Sequence, residues 1–368
     1  MDKKSREFLF KYLNSFSPVG HEYTGQQVWL DYISEFVDKK TSDVYGNTVG
    51  IVYGKRDGVL HPEKLESSAY KVVIEAHADE ISWLVNRITA EGYIYVIRNG
   101  GSDHQIAPSM RVKIHTDDGT VTGVFGWPAI HVRDRAKETA PTVQNLFIDV
   151  GLCSKKEVES YGIHVGSVVT MDGDLIELGE NYFTGRALDD RIGGFITAEV
   201  ARKLKEDKVS LPYSLYLVNS VQEEVGLRGA AMMARQIQPN VALCIDVAHD
   251  TGSPMYGVDH GDIKCGLGPV LSYGAPVQNN LLRLIEKVAG KKKIKFQRQA
   301  ASGSTGTDTD AFAYSSNGVA AAAIGIPLKY MHTTAETAHK DDIKNTIELV
   351  YNVLLNIKDG QDFRYLKV

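Results

Sequence analysis

The sequence predicts an α/β fold with a small all-β domain inserted into it. Two textures carry this expectation. Toward both ends of the chain, continuous apolar runs alternate with amphipathic helical patterns, as in a sheet covered by helices on its faces. Between Ile81 and Ile176 the runs are short and alternate apolar with polar residues, and Asp117-Asp118-Gly119 and Asp172-Gly173 separate them as turns do in a small barrel.

The elements follow in order. Phe8, Leu9, Tyr12, Leu13 and Phe16 recur at helical spacing, and Ser17-Pro18-Val19-Gly20 stops that helix. Val28, Trp29, Tyr32, Ile33 and Phe36 mark one face of a second helix over 26–37. The segment 44–53 reads as a strand pair around Gly46-Asn47. Lys71-Val72-Val73-Ile74-Glu75-Ala76 is a buried strand that ends at His77. In the insertion, strands are expected at 93–97, 111–115, 120–124, 146–150 and 167–170, with one helix at 154–161. After Thr184 a helix at 192–205 is expected, followed by strands at 215–219 and 241–246 and a helix at 278–289. A strand at 319–324 precedes the last helix, at 342–357. The α/β domain is therefore read as discontinuous, 1–80 and 181–368, and the inserted domain as 81–180.

Composition narrows the function. At 368 residues, 43% hydrophobic and 24% charged, the chain has the profile of an ordinary globular protein. A net charge of -5 argues against general binding to nucleic acid or to an anionic membrane. Lys291-Lys292-Lys293 reads as a solvated helix end. Cys153, Cys244 and Cys265 fit neither a disulfide framework nor a Cys-x-x-Cys metal site, which suits a reducing compartment. No signal peptide and no bilayer-length apolar stretch is read, so a cytoplasmic protein is expected.

The chemistry concentrates at predicted strand ends. Glu223-Glu224 follows the strand 215–219. Alone, such a pair reads as solvated surface acids. Four other segments change that reading: His77-Ala78-Asp79, Asp189-Asp190, Asp246 and His332. Open α/β sheets gather their sites at the carboxyl ends of strands. Two histidines and three carboxylates suit a pair of divalent ions such as Zn²⁺, Co²⁺ or Mn²⁺, with one carboxylate shared. The adjacent acids Glu223 and Glu224 can divide the work, one holding metal and the other moving the proton of the attacking water. Asp79 is placed to accept the free N–H of His77 and fix its tautomer. Asp308 and Glu336 are candidates for supporting or substrate contacts, or for capping. His104, His115, His131, His249, His260 and His339 are read as surface or packing residues.

These motifs resemble those of the co-catalytic metallo-aminopeptidases, family forty-two, of the glutamyl aminopeptidase or tetrahedral (TET) type. His77 to Ile81 is similar to His-x-Asp-Glu-Ile, Ala187 to Arg191 to Ala-x-Asp-Asp/Asn-Arg, and Glu223 to Ala230 to Glu-Glu-x-Gly-x-x-Gly-Ala. Asp246 to Ala248 and Tyr330 to Glu336 match the remaining two, and Ser17 to Glu22, Asp43 to Asn47 and Gly306 to Asp308 extend the likeness over essentially the whole chain. Ser82-Trp83, Thr309-Asp310 and Thr333-Thr334-Ala335 depart from the usual pattern without removing a ligand.

The resemblance implies a zinc-exopeptidase-like mixed sheet flanked by helices, with an inserted barrel-like domain used in dimerisation. It implies two divalent ions per subunit, held by His77, Asp189, Glu224, Asp246 and His332, with Asp189 bridging and with His77 and Asp246 on opposite ions. Glu223 is then the general base and Asp79 the partner of His77. Short peptides shortened from the N-terminus and a dimer-based homo-oligomer, up to a dodecamer, are the implied substrate and assembly. Two alternatives compete: a related zinc-exopeptidase-type carboxypeptidase or N-deacylase, against which the inserted β domain speaks, and a silent scaffold that keeps the fold. A preference for acidic residues would need a cation near the pocket, with Lys264, Arg298 and Lys329 as candidates.

Overall fold

The computed structural model describes residues 1–54, 70–134, 136, 138–254, 256 and 261–366, so His260 lies outside the described residues. Helices α1 (Lys3–Asn14) and α2 (Tyr23–Ile33) precede the hairpin β1 (Lys39–Ser42) and β2 (Thr48–Val52), and β3 (Lys71–His77) follows. The next six strands are β4 (Ser82–Ile88), β5 (Ile94–Asn99), β6 (Arg111–Thr116), β7 (Gly119–Phe125), β8 (Phe147–Asp149) and β9 (Val168–Met171), with helix α3 (Lys155–Ser160) before β9. They close into an antiparallel barrel in the order β4-β5-β8-β7-β6-β9. Trp83, Val85, Ile94, Val112, Ile114, Phe125, Ile148 and Val169 fill its interior. Closure pairs every strand on both sides and leaves no edge.

The chain then returns through β10 (Ile176–Leu178), β11 (Tyr182–Gly185), α4 (Leu188–Glu206), β12 (Ser214–Ser220), α5 (Arg228–Ile237) and β13 (Val241–His249). It ends with β14 (Val270–Gly274), α6 (Asn279–Lys292), β15 (Gln297–Ser302), α7 (Thr309–Ala313), β16 (Ala320–Lys329), β17 (Glu336–His339) and α8 (Lys340–Leu354). These strands and the first three form an 11-stranded mixed sheet, β1-β2-β12-β3-β13-β16-β17-β11-β10, with β14 and β15 joined at β16. Strands β12, β3, β13 and β16 run parallel at its centre. One face packs Leu9, Trp29, Ile74, Phe195, Leu217 and Ile324 among α1, α2, α4, α6 and α8. The other packs Val73, Val218, Met233, Cys244 and Phe312 against α5 and α7. Burial on both faces is why the central strands read as unbroken apolar runs.

Some elements differ from expectation. The first strand of the hairpin lies earlier, at Lys39–Ser42, because the Asp43 carboxylate gathers the N–H groups of Tyr45 and Asn47 into a turn of its own. Ile176–Leu178, expected within the insertion, pairs with β11 in the large sheet. Helices α5 and α7 and strands β4, β10, β11, β14, β15 and β17 were not predicted. Cys244 is buried as expected, and Lys291 and Lys292 end α6 in solvent. Among the described residues no helix is long and apolar enough to cross a membrane.

Candidate active site

The carboxyl ends of the parallel strands converge on one cluster. His77 is the last residue of β3, and Glu223 and Glu224 follow the end of β12. Asp246 lies in β13, at the level of Gly325 in β16. Asp189 enters with the first, non-helical residues of α4, where the Asp189–Asp190 peptide bond is cis. His332 comes from the turn between β16 and β17. All six predicted residues line one cleft there, and Asp79 lies against His77.

Asp189 is the centre of the cluster. One oxygen lies 3.3 Å from His77 Nε2 and the other 3.2 Å from His332 Nε2. His332 Nε2 is also 3.2 Å from Glu224 Oε1, and His77 Nε2 is 3.9 Å from Glu223 Oε2. His77, Asp190 and Asp246 present ligand atoms within 4.8 Å of one another, as do His77, Asp189 and Glu224. His77 is common to both groups and faces one oxygen of Asp189 while His332 faces the other; Asp246 lies near His77, where the resemblance placed the two on opposite ions. The sequence reading gave Asp190 no role of its own. It is fully buried and accepts from the backbone N–H of His77 at 3.4 Å and of Gly193 at 3.2 Å; burial and the neighbouring Asp246 push its carboxyl well above the usual carboxylate range.

Two buried carboxylates fix the loops that carry these groups. Asp79 accepts from the backbone N–H groups of both Glu223 and Glu224, at 2.9 and 3.1 Å. Its own carbonyl is 3.2 Å from His77 Nδ1 and its carboxylate 3.5 Å away, so Nε2 faces Asp189. Glu336 accepts from Leu188, Asp189 and His332 N–H at 2.7, 3.1 and 2.7 Å, tying the Asp189 loop to the His332 turn. Those loops need tying: Ala187, Gln222, Leu227, Tyr330 and His332 all have positive φ, which costs a non-glycine residue on the order of 1–2 kcal/mol. Asp308 lies further in and accepts from the Ser220 hydroxyl at 2.7 Å, beside the fully buried Glu75. Behind them Glu80 binds Arg186 and the Ser17 N–H, which anchors the segment 17–22 under the site.

The electrostatics call for cations. Burial alone would lower the pKa of both imidazoles, but Asp189 and Asp79 raise His77 well above its ordinary value, and Asp189 and Glu224 raise His332 to about 11. Burial works in the opposite sense on Asp189, and the two histidines hold it below the usual carboxylate range. Burial pushes Glu223 up to about 10, with His77 opposing and Asp246, Asp308 and Glu224 adding. The donor set is nitrogen and oxygen only, rich in carboxylate and built around one shared group, and so fits borderline divalent ions.

Two cavities meet at the cluster. A cleft of about 360 Å³ is lined by His77, Glu223, Asp246, Gln299, Thr307 and Met331. The second lies against the barrel, between Trp83, Ile106 and Met171 on one side and Asp189, Glu224 and His332 on the other. The barrel approaches closely here: a Cβ on Gly101 would lie 2.4 Å from His332 Nδ1, so only glycine lets the end of β5 pack on that ring. The sole signal for this in the sequence is the small-residue run Gly100-Gly101-Ser102. Lys264 pairs with Asp262, Arg298 pairs with Glu286, and Lys329 lies over the Tyr182 ring; none of the three lines either cavity.

Glu22, from the segment 17–22, supplies a testable pH effect. Burial and the neighbouring Asp79 push its carboxyl up to about 8 from 4.5. Between those values the folded state holds a proton that the unfolded state has released, so this group's contribution to stability falls as pH rises from about 5 to 8. The upper bound is about 4–5 kcal/mol. Glu22→Gln should therefore flatten the decline in Tm of metal-stripped protein over that range. Melts at pH 5 and 8 check this, and an unchanged slope assigns the effect to other groups.

The mixed sheet with this cluster at its strand ends and the barrel beside it, taken with the chain's relatives, make it a peptide hydrolase. The model of the M42 glutamyl aminopeptidase family matches residues 58–349, and the chain belongs to that family. It is 31% identical over 357 residues to the lysyl aminopeptidase of Pyrococcus furiosus, covering 96% of this chain and 97% of that one. The TET aminopeptidase of the archaeon Thaumarchaeota archaeon SCGC AB-539-E09 superposes with a TM-score of 0.89 at 27% identity, over 97% and 98% of the two chains. The Pyrococcus horikoshii TET1 peptidase, which can assemble into a tetrahedron or a large octahedral shell, superposes at 0.82 with 27% identity, over 95% and 99%. The activity of the family is that of a metal-dependent aminopeptidase.

Proposed function

We propose that this protein is a dinuclear metal aminopeptidase that removes N-terminal residues from short peptides. The observation that carries the proposal is the Asp189 carboxylate, with one oxygen toward each imidazole. In this reading His77, Asp246 and Asp189 would hold one ion, and His332, Glu224 and Asp189 would hold the other. When bound, the pair supplies Lewis acidity toward the scissile carbonyl and lowers the pKa of water. Glu223, beside His77 and open to the cleft, takes the proton of the attacking water and returns it to the leaving amine. Asp79 keeps the His77 tautomer and the backbone of the acid pair in register. The closed barrel serves as the assembly module of a homo-oligomer, a reading supported by the shells of the Pyrococcus horikoshii relative.

Hydrolysis of a panel of amino-acyl p-nitroanilides by metal-stripped protein, with Zn²⁺, Co²⁺ or Mn²⁺ restored, tests this. Metal-dependent cleavage of free-amine substrates, absent with N-acetylated ones, is the expected result. Cleavage confined to N-acyl amino acids would replace the reading with a deacylase, and no turnover on either class would make the protein a silent scaffold.

A further inference from the structure

Beyond the end of β12 the backbone N–H groups have no strand to pair with. Strand β12 pairs with β2 only as far as Asn219↔Thr48, and with β3 as far as Ser220↔His77. Yet three of the next four N–H groups meet buried side-chain oxygens. Val221 N–H donates to Asn47 Oδ1 at 3.0 Å, and Glu223 and Glu224 N–H donate to Asp79. Buried N–H groups are almost always satisfied, but here two separate motifs of the chain supply the acceptors.

Asn47 is the most constructed of them. It is fully buried, directly before β2, and continues that strand's edge with its side chain. Its Nδ2 donates to Asp43 Oδ2 at 2.7 Å and its backbone N–H to Asp43 Oδ1 at 3.0 Å, which fixes Oδ1 toward Val221. Opposite, Gly229 donates to the Val221 carbonyl at 2.9 Å. A Cβ on Gly229 would lie 2.3 Å from the Val221 carbonyl oxygen and 2.4 Å from Asn47 Oδ1, so the glycine makes room for the anchor.

We propose that Asn47, oriented by Asp43, is a positioning residue for the Glu223–Glu224 pair. It pins the backbone at Val221 while Asp79 pins it at Glu223 and Glu224. The two anchors fix both ends of the short segment whose carboxylates face His77 and His332. Without the Asn47 anchor the segment pivots about Asp79, and a displacement near 1 Å is enough to cost about 10²-fold in rate. The proposal rests on the reading of Glu223 as base and Glu224 as metal ligand.

The test compares Asn47→Ala, Asn47→Asp and the swap Asp43→Asn/Asn47→Asp. The swap keeps every hydrogen bond of the pair, with residue 43 donating to residue 47; Asn47→Asp alone sets two carboxylates against each other. Asn47→Ala is expected to lower kcat about 10–100-fold, with KM little changed and Co²⁺ affinity weakened. Amide hydrogen exchange in the segment 221–224 should quicken, and the swap should restore kcat, Co²⁺ affinity and exchange together. Wild-type kcat and exchange in Asn47→Ala overturn the proposal. So does a swap that restores slow exchange but not kcat. Should Asn47→Ala fail to fold, Asn47→Asp against the swap carries the same comparison. A wild type with no turnover under any metal would sink the aminopeptidase reading instead, and exchange in the variants would still decide whether Asn47 anchors the segment.

Discussion

Glu223→Gln is expected to lower kcat on amino-acyl p-nitroanilides by about 10²–10⁴-fold, with bound metal and Tm near those of the wild type. The substitution changes one atom of the side chain. Its backbone N–H still donates to Asp79, and Glu224, His77 and Asp189 keep their places. What is lost is the oxygen that takes and returns a proton. Burial of Glu223 already opposes its charge in the absence of cations, so the neutral amide costs the fold little. Steady-state kinetics with elemental analysis of the same samples check the split. Turnover like that of the wild type would remove Glu223 from the base role, and loss of metal would make it a ligand.

Asp189→Ala has the other large expected effect. Both imidazoles face this one carboxylate, so its removal should empty both metal sites together rather than one. Bound metal after gel filtration is expected to fall from two ions per subunit toward none. Turnover should fall by more than the roughly 10–100-fold that follows loss of an outer partner of a metal site. Asp189→Asn keeps the volume and separates loss of charge from loss of packing. Retention of two tightly bound ions by Asp189→Ala would contradict the shared-carboxylate arrangement.

The supporting residues were less legible than the cluster itself. Asp79 was read as the partner of His77, and it does lie against that ring, yet its carboxylate is chiefly engaged with the backbone of Glu223 and Glu224. Glu336, a candidate for a supporting or substrate contact or for capping, joins the Asp189 loop to the His332 turn. Backbone N–H groups occur at nearly every residue, so a sequence does not say which of them a buried acid will collect. The same holds for β17: Glu336-Thr337-Ala338-His339 has no apolar pattern, and pairing with β11 and β16 makes it a strand. Helix α5 was not predicted: of its five buried residues Gly229, Ala230 and Ala234 are small, and only Met233 and Ile237 are large enough to mark an apolar face.

By itself the sequence determined the layered α/β plan, the all-β insertion and the identity of the chemical groups. Burial on both faces of a central strand demands unbroken apolar residues, barrel strands demand alternation, and divalent ions demand nitrogen and oxygen donors, and each demand is written locally. Only the tertiary structure decided that His77 and His332 face different oxygens of Asp189, with Asp246 near His77 and Glu224 beside His332, and that Asn47, Asp79 and Glu336 hold their loops. Those facts depend on distances between segments far apart in the chain, and packing across the sheet sets such distances where local pattern cannot.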